Sequence, residues 1–150
     1  MTKTEELISS NLKDAMRSGD SLTVNVLRLV QTAIKNRQIE KRTKGEVDEL
    51  TEDEIQAILR SEAKKRKEAS DMYEKAGHKD RMESEQKELA VLKNYLPKQI
   101  EGEELEKMIS GIIEKENLTT FNDAIKKVMS ELRGRADEKR IVEIIKNILG

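Results

Sequence analysis

A single proline, Pro97, stands in a chain of 150 residues, and nearly every other position holds a residue that an α-helix accepts. Proline withholds an amide from the helical ladder and pushes its predecessor out of helical geometry, so a helix arriving from upstream must end by Leu96. On both sides of that break apolar residues recur at three- and four-residue steps, the period of a helix with one buried stripe. Aromatic residues make up 2% of the chain and charged residues 39%. Strands are therefore poorly supplied, while the abundant Ala, Leu, Glu and Lys suit helices. The expectation is an all-α protein, with a long-helix N-terminal domain over residues 1–96 and a small three-helix domain over residues 97–150, hinged near Pro97.

Leu7, Ile8, Leu12, Ala15 and Met16 predict a helix over residues 4–17, closed by Ser18-Gly19-Asp20. Asp20 or Ser21 can cap a second helix, whose apolar positions Leu22, Val26, Leu29, Val30, Ala33 and Ile34 continue toward Ile39. Its polar end, KNRQIEKRTK, is expected to project or fray. Thr51 and Glu54 spell a capping box, opening a third helix carried by Ile55, Ile58, Leu59, Ala63, Ala69, Met72 and Tyr73 to Ala76. Gly77 is its natural stop, and Asp80 the natural cap of a fourth helix with Met82, Leu89, Leu92, Tyr95 and Leu96. Beyond Pro97, residues 105–113, 121–132 and 139–149 form three denser apolar repeats. Tyr95 and Leu96 are expected to pack at the domain junction.

The inventory for chemistry is thin. With no cysteine there is no disulfide, thiolate metal site or cysteine nucleophile. No run approaches the roughly 18 apolar residues of a membrane span and the N-terminus lacks an apolar leader core, so a soluble cytoplasmic protein is expected. His78 follows Gly77 in a turn without a second metal ligand or triad partner, and reads as a solvated turn residue. Glu83, Glu85 and Glu88 offer carboxylates, but 83 and 85 do not share a helix face, and such residues ordinarily solvate a surface. Phosphate-binding glycine loops and the nucleophile elbow are missing. Stand-alone catalysis is not expected, nor is a cofactor or metal.

Charge is nearly balanced, 29 Lys and Arg against 30 Asp and Glu, so any polyanion must be met by a local patch. Lys64-Lys65-Arg66-Lys67 fills about one whole helical turn, so at least one of the four faces inward or snorkels. Lys35, Arg37, Lys41, Arg42 and Lys44 line the end of the second helix. The third cluster alone coincides with a glycine turn and a helix start: RGRAD, residues 133–137. There Gly134 permits close approach, and guanidinium groups can fork onto a phosphate. The RNA-binding candidates are Lys126, Lys127, Arg133, Gly134, Arg135, Lys139 and Arg140. Asp137 and Glu138 oppose an anion at that helix start and support the competing reading, a cap with solvated arginines. Tyr73, Tyr95 and Phe121 all sit on apolar repeats, so core burial is expected rather than base stacking.

Residues 22–40 (LTVNVLRLVQTAIKNRQIE), 64–100 and 126–149 resemble the YqeY-like family, which is similar to the tail of the GatB subunit of the glutamine-dependent aspartyl/glutamyl-tRNA amidotransferase. The resemblance covers nearly the whole chain. Its most specific parts are KKRKEA (64–69) followed by YEKAG (73–77), Tyr95-Leu96-Pro97, and Val128-Met129 followed after four residues by Gly134-Arg135-Ala136. It implies a long-helix domain followed by a small helical domain whose counterpart contacts the tRNA body, the chemistry lying in other subunits and domains. The label of a carbon–nitrogen ligase with glutamine as amide donor belongs to the family by that relationship only. Lys126 stands where the family usually has glycine, which could alter a close helix contact. Three readings stay open: a tRNA-binding accessory without its own catalytic site, a helical protein–protein interaction module, and a stand-alone enzyme.

Overall fold

A computed structural model describes the whole chain, Met1–Gly150, as an all-helical protein. Its helices are α1 (Lys3–Ser18), α2 (Ser21–Thr43), α3 (Glu52–Lys75), α4 (Lys79–Lys93), α5 (Gly102–Lys115), α6 (Phe121–Leu132) and α7 (Glu138–Leu149). None is long and apolar enough to cross a membrane.

The helix ends follow their local chemistry. The Thr2 hydroxyl accepts from the Glu5 amide at 3.1 Å, and Gly19, at φ 74°, closes α1 in the left-handed conformation. Asp20 at once caps α2, accepting from the Thr23 amide at 3.2 Å and its hydroxyl at 2.6 Å. The Thr51–Glu54 capping box forms in both directions. At the α3 end, Gly77 and His78 donate to the Glu74 and Tyr73 carbonyls at 3.1 and 2.9 Å, a Schellman reversal. That closure is so tight that α4 starts with His78 as its cap, two positions ahead of the expected Asp80. Asp80 sits instead in the first turn, where its charge still suits the helix dipole.

The polar end of α2 does not fray. Lys41 Nζ donates to Glu54 Oε1 at 2.8 Å and to the Glu49 carbonyl at 3.3 Å, and Arg42 reaches Asp48 at 2.9 Å. Sequence periodicity could not see these partners, because they come from the segment that follows the helix and from the first turn of α3.

Packing gives two compact units, Met1–Leu96 and Pro97–Gly150. In the first, Ile8 and Leu12 of α1, Val26, Leu27, Val30 and Ile34 of α2, Ile55 and Leu59 of α3, Leu92 of α4, and the loop residues Leu50 and Tyr95 share one core. Each fully buried aliphatic side chain contributes about 1.5–3 kcal/mol. The buried stripes are narrower than the periodicity implies: Leu7, Met16, Leu29, Ile39 and Met72 are exposed. Tyr95 and Leu96 belong to this N-terminal core. The Tyr95 hydroxyl accepts from Asn11 Nδ2 at 2.8 Å, and its carbonyl accepts from Gln56 Nε2 at 3.1 Å. Tyr73 departs from expectation. It lies outside the core, half-buried, edge-on to His78 with ring centres 6.3 Å apart and with the Arg81 guanidinium 5.8 Å from its ring.

The second unit is built from apolar residues four apart: Leu105, Ile109 and Ile113 on α5, and Ala124, Val128 and Leu132 on α6. Ile141, Ile144 and Ile145 of α7 complete the core with Ile100 and Ala136, and Phe121 packs half-buried against it.

Candidate nucleic-acid interface

RGRAD folds as a type II β-turn. Arg133 takes φ −56° and ψ 128°, Gly134 takes φ 81°, and the Arg135 amide closes the turn on the Leu132 carbonyl at 2.9 Å. The third turn position requires a positive φ, which costs an L-residue about 1–2 kcal/mol. Glycine is therefore set by backbone geometry before any ligand is considered. Burial alternates along the segment: Leu132, Gly134 and Ala136 are buried, and Arg133 and Arg135 exposed. The carbonyls are held as well. Gly134 O accepts from Gln99 Nε2 at 3.0 Å, and Arg135 O accepts from the Ile100 amide at 2.7 Å.

The six cations among the candidate residues separate by their partners. Arg133, Arg135, Lys126 and Lys139 are exposed and make no ion pair. Lys127 is shared between Glu116 at 3.8 Å and Glu131 at 3.6 Å. Arg140 is engaged by Glu106 at 3.0 Å and Glu143 at 3.1 Å. Asp137 caps α7 by accepting from the Lys139 amide at 3.1 Å, so that amide is already occupied. The four unpaired cations are the part of the cluster ready to meet an anion. Lys126 is exposed on α6.

The chain matches the model of the family described as Yqey-like protein over residues 5–149. It belongs to the Yqey-like protein family. Among curated proteins, this family member is 25% identical over 149 residues to Altered inheritance of mitochondria protein 41, mitochondrial, of Pyrenophora tritici-repentis, covering 95% of this chain and 79% of that one. It is also 42% identical over 67 residues to a subunit of the Glutamyl-tRNA(Gln) amidotransferase of Sulfurisphaera tokodaii, a match over 40% of this chain but only 10% of that much longer protein.

In this Yqey-like chain the other basic clusters are largely consumed internally. Arg37, Lys41, Arg42 and Lys44 pair with Glu40, Glu54 and Asp48. From the Lys64–Lys67 run, Arg66 is the residue turned inward, its guanidinium 3.3 Å from Glu85 and 3.2 Å from Glu88. Sequence reasoning gave those carboxylates to solvent. The available signal was the inward turn forced on the four-cation run, which needed an acidic partner on the neighbouring helix. Burial pushes the Glu85 carboxyl above the usual glutamate range against the pull of Arg66, and Glu88 adds to the rise. The folded chain thus holds this proton more tightly than the unfolded chain. The resulting stability is present at acid pH and lost as pH climbs through the raised pKa. Asp20, Glu40, Glu52 and Glu54 are shifted the other way and favour neutral pH, so Glu85→Gln is expected to raise the urea midpoint at pH 7 relative to that at pH 4, compared with the unsubstituted protein.

An open cleft of about 370 Å³ lies among Asn11, Asp14, Asp20, Asn94 and Tyr95. Asp20 there is committed to its helix cap, which holds its carboxyl below the usual range through the Thr23 hydroxyl and amide.

Proposed function

We propose that this chain is an RNA-binding accessory, related to the tRNA amidotransferases but without a catalytic site of its own. In this reading Arg133 and Arg135 grip the phosphate backbone of folded RNA, with tRNA as the ligand. The observation that carries it is the pair of unpaired, exposed guanidinium groups on a turn whose carbonyls are tied to Gln99 and Ile100. Each guanidinium can fork onto a phosphate, while Gly134 is buried and supplies only the positive φ of the turn. Lys126 and Lys139 extend the patch, and Lys127 and Arg140 can join it only by leaving their carboxylates. The likeness to part of an amidotransferase named for glutamyl-tRNA(Gln) supports tRNA as the RNA. A chain without cysteine suits a reducing cytoplasm.

Changing Arg133 and Arg135 together to glutamate is expected to leave the helical circular-dichroism signal intact and weaken tRNA retention on a filter by about a hundredfold at low salt. The slope of log affinity against log salt should flatten by about one to two counterions. If the unsubstituted protein retains no tRNA even at low salt, the RNA reading falls and a helical protein–protein interaction module replaces it. The exposed Leu7, Met16, Leu29, Ile39 and Met72 of the N-terminal unit favour that second reading.

A further inference from the structure

The segment just past Pro97 does more than connect. Ile100 buries its side chain in the C-terminal core and donates its amide to Arg135 O at 2.7 Å. One residue earlier, the exposed Gln99 donates its side-chain amide to Gly134 O at 3.0 Å. Two successive carbonyls of the RGRA turn are thereby held by a strap of two residues.

We propose that Gln99 is a positioning residue for phosphate binding at the turn, a role that rests on the RNA reading above. Carbonyl oxygens carry partial negative charge, and near a bound phosphate they repel it unless an N–H donor occupies them. Gln99 and the Ile100 amide fill that need for the two carbonyls beside the arginines. Held in this way, the Leu132–Arg135 turn keeps the backbone that carries Arg133 and Arg135 in one arrangement, so less loop freedom is lost on binding. The strap touches no phosphate itself. Its removal should lower affinity without changing how many cations the RNA meets.

The test uses the full chain with unfractionated tRNA as probe. Gln99→Met keeps the length of the stem and removes the donor. Affinity is expected to fall about three- to tenfold, the cost of ordering the loosened turn on binding, with the salt slope unchanged. The Ile100 amide should exchange its hydrogen faster in this variant, and saturating tRNA should slow that exchange in the unsubstituted protein. The melting temperature should stay within a degree or so, since Gln99 is exposed. If Gln99→Met binds tRNA as tightly as the unsubstituted chain while the double glutamate variant does not, the strap has no positioning role and the RNA reading stands. A lower melting temperature that accounts for the lost binding also overturns the positioning role. Absence of tRNA binding by the unsubstituted protein overturns both.

Discussion

Replacing Ile141 with alanine is expected to unfold the C-terminal unit and leave the melting transition of the N-terminal unit in place. Ile141 is wholly buried on α7, in a core shared with α5, α6, Ile100 and Ala136. Truncating such a side chain costs about 2–5 kcal/mol, part of it from the cavity left behind. A unit as short as Pro97–Gly150 has only about 3–5 kcal/mol to lose. The first unit has its own core, from Ile8 to Tyr95, with no member beyond Pro97. We therefore propose that the two units melt as separate domains. Differential scanning calorimetry should show two transitions in the unsubstituted protein and one in Ile141→Ala, and residues 97–150 expressed alone should melt cooperatively. A single transition that shifts as a whole would sink the proposal.

Arg66→Ala should be the most damaging single change among the charged residues of the N-terminal unit. Arg66 stands between Glu85 and Glu88, whose side chains are 16% and 20% exposed, and both carboxylates contact the same guanidinium nitrogen. Removing the cation leaves two negative charges side by side in a poorly solvated place, at a cost of about 2–3 kcal/mol, below the 3–5 kcal/mol of a fully buried pair. Urea denaturation at pH 7 would read this as a lower midpoint. The loss should be smaller at pH 4, because acid protonates Glu85 first. Adding Glu85→Gln and Glu88→Gln to Arg66→Ala should recover most of the stability, whereas no recovery would show that the arginine stem, and not its charge, supports the α3–α4 contact.

What could be read directly from the residues was whatever depends on neighbours close in the chain. Gly19 with Asp20 and Thr51 with Glu54 each declare a helix end within three or four positions. The turn at Gly134 belongs to the same class, since its glycine follows from a local φ. What depends on partners across the fold was hidden. The α2 tail looked loose because Glu54 and Asp48 could not be placed beside it, and Glu85 and Glu88 looked solvated because Arg66 could not be placed between them. Met72 and Tyr73 kept the helical period beyond the point where any core remained to receive them. The division within the basic patch was hidden for the same reason. Six cations shared the right chemistry, but Lys127 and Arg140 already had carboxylates on or beside α5, α6 and α7.

The heaviest packing joins helices that follow one another along the chain: α3 with α4, α1 with α2, and α6 with α7. Each pair meets across a short turn, so little loop entropy is lost before the contacts begin to repay it, and such local topologies fold fast. The core that gathers Ile8, Leu27, Ile55 and Leu92 needs nothing beyond Leu96. During synthesis it can therefore close on itself while α5, α6 and α7 have yet to emerge from the ribosome, which keeps its apolar surface from meeting the unfinished half of its own chain.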